Sequence, residues 1–225
     1  MRHDTARDKV TLIKASSAKP TQTGTPLEVK LEYDPLRLLP APYSGAVLAG
    51  GRSSRFEADK ALHLWRGKTL LEYALAALDG CAETFVVGGN RAIEGVKTHP
   101  DLEPFLGSLY GLRRALELAR YERVAVTASD MPNLTRQYWD WLVGMTPCDV
   151  LIPCGADGDL EPLAAIYSRA CLPFVQRSLE RGALRMTGWW AGRLNVTVID
   201  WAAVQSRFGD DVFLNANTPA DLEPS

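Results

Sequence analysis

The chain has 225 residues with a formal net charge of −2. That length holds one α/β domain with a sizeable core, or one domain plus an appendage. The charge gives no basic field for nucleic acid, and no apolar run approaches a membrane span.

Residues 1–43 have linker composition, with Pro20, Pro26, Pro35, Pro40 and Pro42 and the polar run KASSAKPTQTGTP. Basic residues near Met1 are not followed by an apolar h-region, so no secretory signal is expected. Within this arm Leu27, Val29, Leu31 and Tyr33 alternate with charged residues, a strand pattern. The arm is read as flexible, and residues 44–225 as the functional domain.

From Ser44 onward strand and helix patterns alternate. GAVLAG (45–50) is a buried strand, residues 69–78 have helical spacing, and residues 83–89 are a second strand. VKTH (96–99) is a candidate third strand, and residues 107–119 read as a helix. RVAVTAS (123–129) is a strand ending at Asp130. Residues 135–144 are a helix, 149–153 and 162–168 strands, 172–182 a helix and 194–200 a last strand. This order predicts a Rossmann-like three-layer α/β/α fold with a mostly parallel sheet. Ligands then bind beyond the carboxyl ends of the strands, where the glycine turn and Asp130 both fall.

The run LAGGRSSRFEADK (48–60) places Gly50 and Gly51 after a strand, with Arg55 and Lys60 behind them. Bare glycines admit a phosphate to the backbone, and the cations supply its counter-charge. The spacing matches neither the Walker A loop nor the dinucleotide fingerprint. A plain tight turn accounts for the glycines as well as a ligand does, but not for the cations. Asp130, in ASDMP, suits Mg²⁺, which takes one or two carboxylates with phosphate oxygens. Capping of the turn before a helix is the alternative. Asp101 is equally well a loop carboxylate or a nucleotide contact. In FLNANTPADL, Thr218 and Pro219 read as N-cap and first helical residue. Asn215 and Asn217 alternate, which puts both on one face of an extended segment. Trp139, Trp141, Trp189 and Trp190 are read as packing residues.

Cys81, Cys148, Cys154 and Cys171 fit no zinc or CxxC spacing, so they are expected to be reduced and mostly buried. His3, His63 and His99 are scattered and suggest no metal site.

Taken in order, these motifs resemble the molybdenum cofactor guanylyltransferases of the small nucleotidyltransferase superfamily. The resemblance rests first on Leu48, Ala49, Gly50, Gly51, Ser53, Arg55, Phe56, Asp59 and Lys60. Asp101, Pro104, Gly107 and Leu109 follow, then Asp130 and Pro132, and Pro162, Leu163, Ile166 and Tyr167. It closes on Phe213, Asn215, Asn217, Thr218, Pro219 and Leu222. The resemblance implies Mg²⁺-dependent transfer of GMP from GTP to the phosphate of molybdopterin, releasing pyrophosphate, in the cytoplasm. Leu48, Ala49, Gly50, Lys60, Asp101 and Asp130 would hold the nucleotide, Asp130 the Mg²⁺, and Asn215 and Asn217 the pterin side. Arg55 and Lys60 would be catalytic. Transient contact with cofactor-insertion proteins or target molybdoenzymes is a further implication. LAGG rather than LAAG looks like the guanine branch. The attacking group is already an anionic phosphate, so no serine nucleophile or general base is needed.

Three positions depart from the family pattern. Glu57 stands at a family glycine, Ser108 replaces the proline of GPL, and Gly88 stands where some relatives carry a nucleotide-contacting asparagine. A carboxylate about 5 Å from a triphosphate charge repels it by roughly 3 kcal/mol at an effective dielectric near 20. The alternatives are therefore a CTP-using pterin enzyme, a sugar-phosphate or polyol-phosphate enzyme, and a non-catalytic nucleotide-binding relative.

Overall fold

The computed structural model describes residues 41–50, 59–89, 93–100, 106–190 and 192–223, together with the backbone of 12–14. The elements in chain order begin with β1 (Leu12–Lys14) and β2 (Ser44–Leu48), then a 3-10 turn (Lys60–Leu62). β3 (Leu64–Trp65), β4 (Lys68–Thr69), α1 (Leu70–Ala77), β5 (Glu83–Val87) and β6 (Lys97–His99) follow. Next come α2 (Ser108–Leu118), β7 (Arg123–Ala128), α3 (Arg136–Val143), β8 (Val150–Pro153) and β9 (Ala164–Ser168). α4 (Leu172–Glu180), β10 (Val196–Ile199), α5 (Trp201–Phe208) and a 3-10 turn (Pro219–Leu222) are the last elements among the described residues.

The main sheet has the order β1-β10-β8-β9-β7-β2-β5-β6. β7, β2, β5 and β6 are mutually parallel, as are β8 and β10, whereas β9 runs antiparallel to both its neighbours. The expected mostly parallel sheet is present. β9 and the edge strand β1 are its inverted strands, and for β9 alternating strand and helix patterns cannot reveal direction when two strands follow each other without a helix.

Pleating splits each strand's side chains between two cores. Val47, Val86, Ala125, Leu151 and Ile166 face α1, α3 and α5, beside Leu71, Trp139 and Val204. Ala46, Phe85, Val87, Val126, Ile152 and Tyr167 face α2 and α4, beside Leu112, Leu116 and Val175. Two cores on one sheet make the three layers. Tyr138 and Trp139 are fully buried with rings meeting edge to face at 5.0 Å, and Trp189 stacks edge-on against Trp190 at 4.8 Å. These tryptophans pack, as expected.

Several elements differ from the sequence reading. The helix expected over 107–119 has Gly107 as its N-cap, at φ 112. The hairpin β3–β4 and helix α5 have no counterpart in the reading. β3 and β4 are two residues each, too short for a period to show. β1 pairs antiparallel with β10, while the alternating run 27–33 lies outside the described residues. The four cysteines are free thiols, but only Cys171 is buried; the others are intermediate.

Candidate active site

Because β2, β5 and β7 are parallel and in register, their carboxyl ends open onto one rim. Leu48 sends its side chain away from that rim. It is 8% exposed and packs over Gly111 of α2, so it can offer a ligand only its main chain. Ala49 N donates to Val87 O at 2.8 Å, and Ser129 N donates to Leu48 O at 3.2 Å. The start of the turn is therefore tied to both neighbouring strands. Ala49 is buried and Gly50 is exposed.

Lys60 opens a 3-10 turn capped by Asp59, whose Oδ1 accepts from Ala61 N at 3.2 Å. The Asp-Lys pair thus divides its work: Asp59 fixes the turn, and Lys60 projects from it. Lys60 Nζ lies 2.6 Å from Asp130 Oδ2, and it donates to Asn217 Oδ1 at 3.2 Å. The side chains of Lys60 and Asp130 are only 16% and 21% exposed, so water screens the pair weakly.

The competing explanation for Asp130, capping of the turn before a helix, finds no supporting side-chain hydrogen bond among the described residues, where Oδ2 meets Lys60. The cap of α3 is Thr135, whose hydroxyl accepts from Tyr138 N. Asp130 Oδ1 is buried and has no hydrogen-bond partner among the described residues. A buried carboxylate oxygen without a partner is costly unless something ligates it. That suits Mg²⁺, which needs one or two protein carboxylates and takes its remaining oxygens from phosphate and water. Among the described residues no group of three or more His, Cys, Asp or Glu forms a metal cage.

The chain's end is drawn across this rim. Asn133 Nδ2 donates to Asp211 O at 2.8 Å, and Ala216 N donates to Asp130 O at 2.9 Å. Trp65 Nε1 donates to Leu222 O at 2.8 Å. Asn215 and Asn217 are exposed on either side of Ala216, which is fully buried, as their alternation suggested. The segment is not fully extended, since Asn217 N donates to Asn215 O at 2.9 Å. Thr218 N donates to Asp221 Oδ2 at 2.7 Å, which starts the last 3-10 turn.

Of the residues expected at a site, Lys60 touches both Asp130 and Asn217, and Leu48, Ala49 and Gly50 share their rim. Arg55 and Asp101 lie outside the described residues, as does Glu57. Trp65 was not anticipated. A lone tryptophan in HLWRGK carries no signal that its indole will reach a carbonyl 157 residues away. His99 ends β6 beside the rim. Burial first, then Arg114 and Lys97, hold its imidazole below the ordinary value, so it stays neutral near pH 7.

A parallel rim of this build, on a three-layer α/β/α frame, is that of an α/β nucleotidyltransferase, an enzyme. Residues 45–193 match the family model described as MobA-like NTP transferase domain, well over half of the chain. The chain belongs to that family, within its molybdenum cofactor guanylyltransferase branch, and has a nucleotidyltransferase role in molybdenum-cofactor biosynthesis. It is 37% identical over 188 residues to the "Probable molybdenum cofactor guanylyltransferase" of Deinococcus radiodurans, covering 80% of this chain and 92% of that one. It is 30% identical over 188 residues to the molybdenum cofactor guanylyltransferase of Desulfosudis oleivorans, with the same coverage, 80% and 92%. Among solved structures, molybdopterin-guanine dinucleotide biosynthesis protein A of Archaeoglobus fulgidus superposes with a TM-score of 0.66 at 26% identity. That match covers 80% of this chain and 94% of the other. The 2-C-methyl-D-erythritol 4-phosphate cytidylyltransferase of Thermus thermophilus shares the fold, with a TM-score of 0.59 at 20% identity over 80% of this chain and 95% of that one.

Proposed function

We propose that the chain transfers GMP from GTP to the terminal phosphate of molybdopterin, with Mg²⁺, and releases pyrophosphate. The observation that carries this reading is the Lys60–Asp130 pair, with the second Asp130 oxygen buried and without a hydrogen-bond partner among the described residues. A phosphate oxygen of the pterin attacks the α-phosphorus of GTP. The new P–O bond forms as the bond to the β-phosphate oxygen breaks, and no proton need move. Positioning and charge neutralisation are then the whole task.

In this reading Leu48, Ala49 and Gly50 receive the nucleotide through their main chain, and Asp101 contacts it. Lys60 and Arg55 hold the phosphates and offset the charge that builds on the leaving group. Asp130 would hold Mg²⁺, which when bound supplies further charge neutralisation on the triphosphate. Asn217, which accepts from Lys60 Nζ, lies with Asn215 toward the pterin side. Residues 44–225 form the catalytic domain and 1–43 an appended arm. As the family resemblance implies, the reaction is cytoplasmic and its product passes to cofactor-insertion proteins or molybdoenzymes.

Pyrophosphate release with molybdopterin and either GTP or CTP tests this reading. Turnover with GTP is expected. Turnover with CTP alone would overturn the guanine assignment and move the enzyme to the cytidine-using side of the superfamily.

A further inference from the structure

Glu161 stands in the turn before β9, between the ends of β8 and β7. Its N–H donates to the carbonyl of Pro153, the last residue of β8, at 2.9 Å. Thr127 of β7 pairs with Ala164 of β9. From that antiparallel pair the chain leads forward to Asp130 and backward to Glu161, so both leave the sheet at one rim. Tyr138 joins this place to the chain's end. Its hydroxyl donates to Ala164 O, and its ring meets that of Phe213 edge to face at 5.9 Å, just before Asn215. In the strand order Glu161 lies on the β8 side of β7, whereas the turn at residues 48–50 lies on its β2 side.

The fold gives this carboxylate no favourable partner. Among the described residues its side chain makes no hydrogen bond or ion pair. Burial first, then Asp157 and Asp159, push its carboxyl above the ordinary value. Asp157 is occupied within the loop, where its Oδ1 accepts from Asp159 N at 2.9 Å. Bare Gly155 leaves the room that the Glu161 side chain fills, since a Cβ there would lie 2.8 Å from Glu161 Oε1. A half-buried carboxylate without donors costs stability until a ligand supplies them.

The acceptor substrate carries matching donors. A pterin ring presents a ring N–H and an amino N–H side by side, the same two-pronged arrangement that an arginine offers a carboxylate. We propose that Glu161 is a specificity-determining residue for the pterin: its carboxylate accepts the paired N–H groups of the pterin's amino-oxopyrimidine edge and orients the ring on the side of the rim that carries Asn215 and Asn217. This inference rests on molybdopterin being the acceptor, as proposed above. Guanine has the same edge, but the residues assigned to GTP at positions 48–50 lie across β7 from Glu161.

The test measures the KM for molybdopterin, the KM for GTP and the thermal midpoint in wild type, Glu161→Leu, Glu161→Gln and Asp159→Asn. Leucine removes both acceptor oxygens and glutamine keeps one. Glutamine is also nearly isosteric, so Glu161→Gln serves if Glu161→Leu does not fold. Asp159 is exposed in the same loop, and its variant removes a charge while leaving Glu161 in place. Glu161→Leu is expected to raise the molybdopterin KM about tenfold or more, the measure of hydrogen bonds to a charged group. Glu161→Gln should raise it by less. The GTP KM of both, and both constants of Asp159→Asn, should stay within about twofold of wild type. The midpoint of Glu161→Leu should not fall, because a carboxylate crowded by two others is gone. A wild-type molybdopterin KM in Glu161→Leu would overturn the proposal. So would a rise in the GTP KM instead, which would put the carboxylate at the guanine, or an equal rise in Asp159→Asn, which would make loop charge the cause. A lowered midpoint in both Glu161 variants would also overturn it, by making the residue a structural one. A wild-type chain without turnover on molybdopterin would sink the acceptor assignment itself, before the variants are compared.

Discussion

Lys60 Nζ and Asp130 Oδ2, seventy residues apart in the chain, meet at 2.6 Å where the rim of the sheet carries its turn residues. Asp130 uses one oxygen for this pair, and the other is buried without a hydrogen-bond partner among the described residues. An ion pair made only for stability would satisfy both oxygens where it could. A pair that also receives a metal and a polyphosphate has reason to leave one open.

Asp130→Asn keeps the shape and removes the charge. It is expected to lower pyrophosphate release by about 100-fold or more, since it removes the proposed metal ligand. Circular dichroism and the unfolding midpoint should stay close to wild type. Retained turnover would remove Asp130 from the chemistry.

Lys60→Met leaves the Asp130 carboxylate without its cation in a poorly screened position. Partly exposed pairs are worth less than fully buried ones, so a cost of about 1–3 kcal/mol is expected in urea unfolding. In a double-mutant cycle with Asp130→Leu, part of that cost should vanish, because the stranded charge is gone. Strict additivity would mean that the contact contributes nothing.

Trp65→Phe removes the indole N–H that donates to Leu222 O and leaves the ring's apolar bulk in place. Loss of that hydrogen bond should cost about 1 kcal/mol. The segment that carries Asn217 is anchored there, so the pterin KM should rise several-fold while the GTP KM stays within about twofold. Equal changes in both constants would show a general loosening instead.

Thr69 and Glu72 form a capping box at the start of α1: Thr69 N donates to Glu72 Oε2 at 2.6 Å and Glu72 N to Thr69 Oγ1 at 3.2 Å. The Thr69 backbone N–H, then its hydroxyl, hold the Glu72 carboxyl below its ordinary value of 4.5. A depressed carboxyl pKa contributes stability that is present above the unfolded value and lost as pH falls through the folded one. Thr69→Ala should therefore lower the thermal midpoint at pH 7, and the gap from wild type should narrow below about pH 4. A gap that stays constant with pH would show that the glutamate plays no part in the cap.

Much of the fold was legible in the sequence because its signals are local. GAVL and RVAVTA are apolar runs, residues 69–78 repeat with helical period, and Gly107 and Gly144 mark helix ends. Such patterns place the strands and put Gly50 and Asp130 at strand ends. The motif LAGG with a following DK also points to the family. Tertiary structure decided the rest, because it depends on distance through space. Only the sheet's strand order brings Lys60 to Asp130, and only the returning chain end brings Asn217 and Leu222 to Lys60 and Trp65. The sequence leaves Asp130 open between capping a turn and holding a ligand; in space its Oδ2 meets Lys60. Composition and period record what each residue prefers, whereas a site depends on which residues the fold makes neighbours.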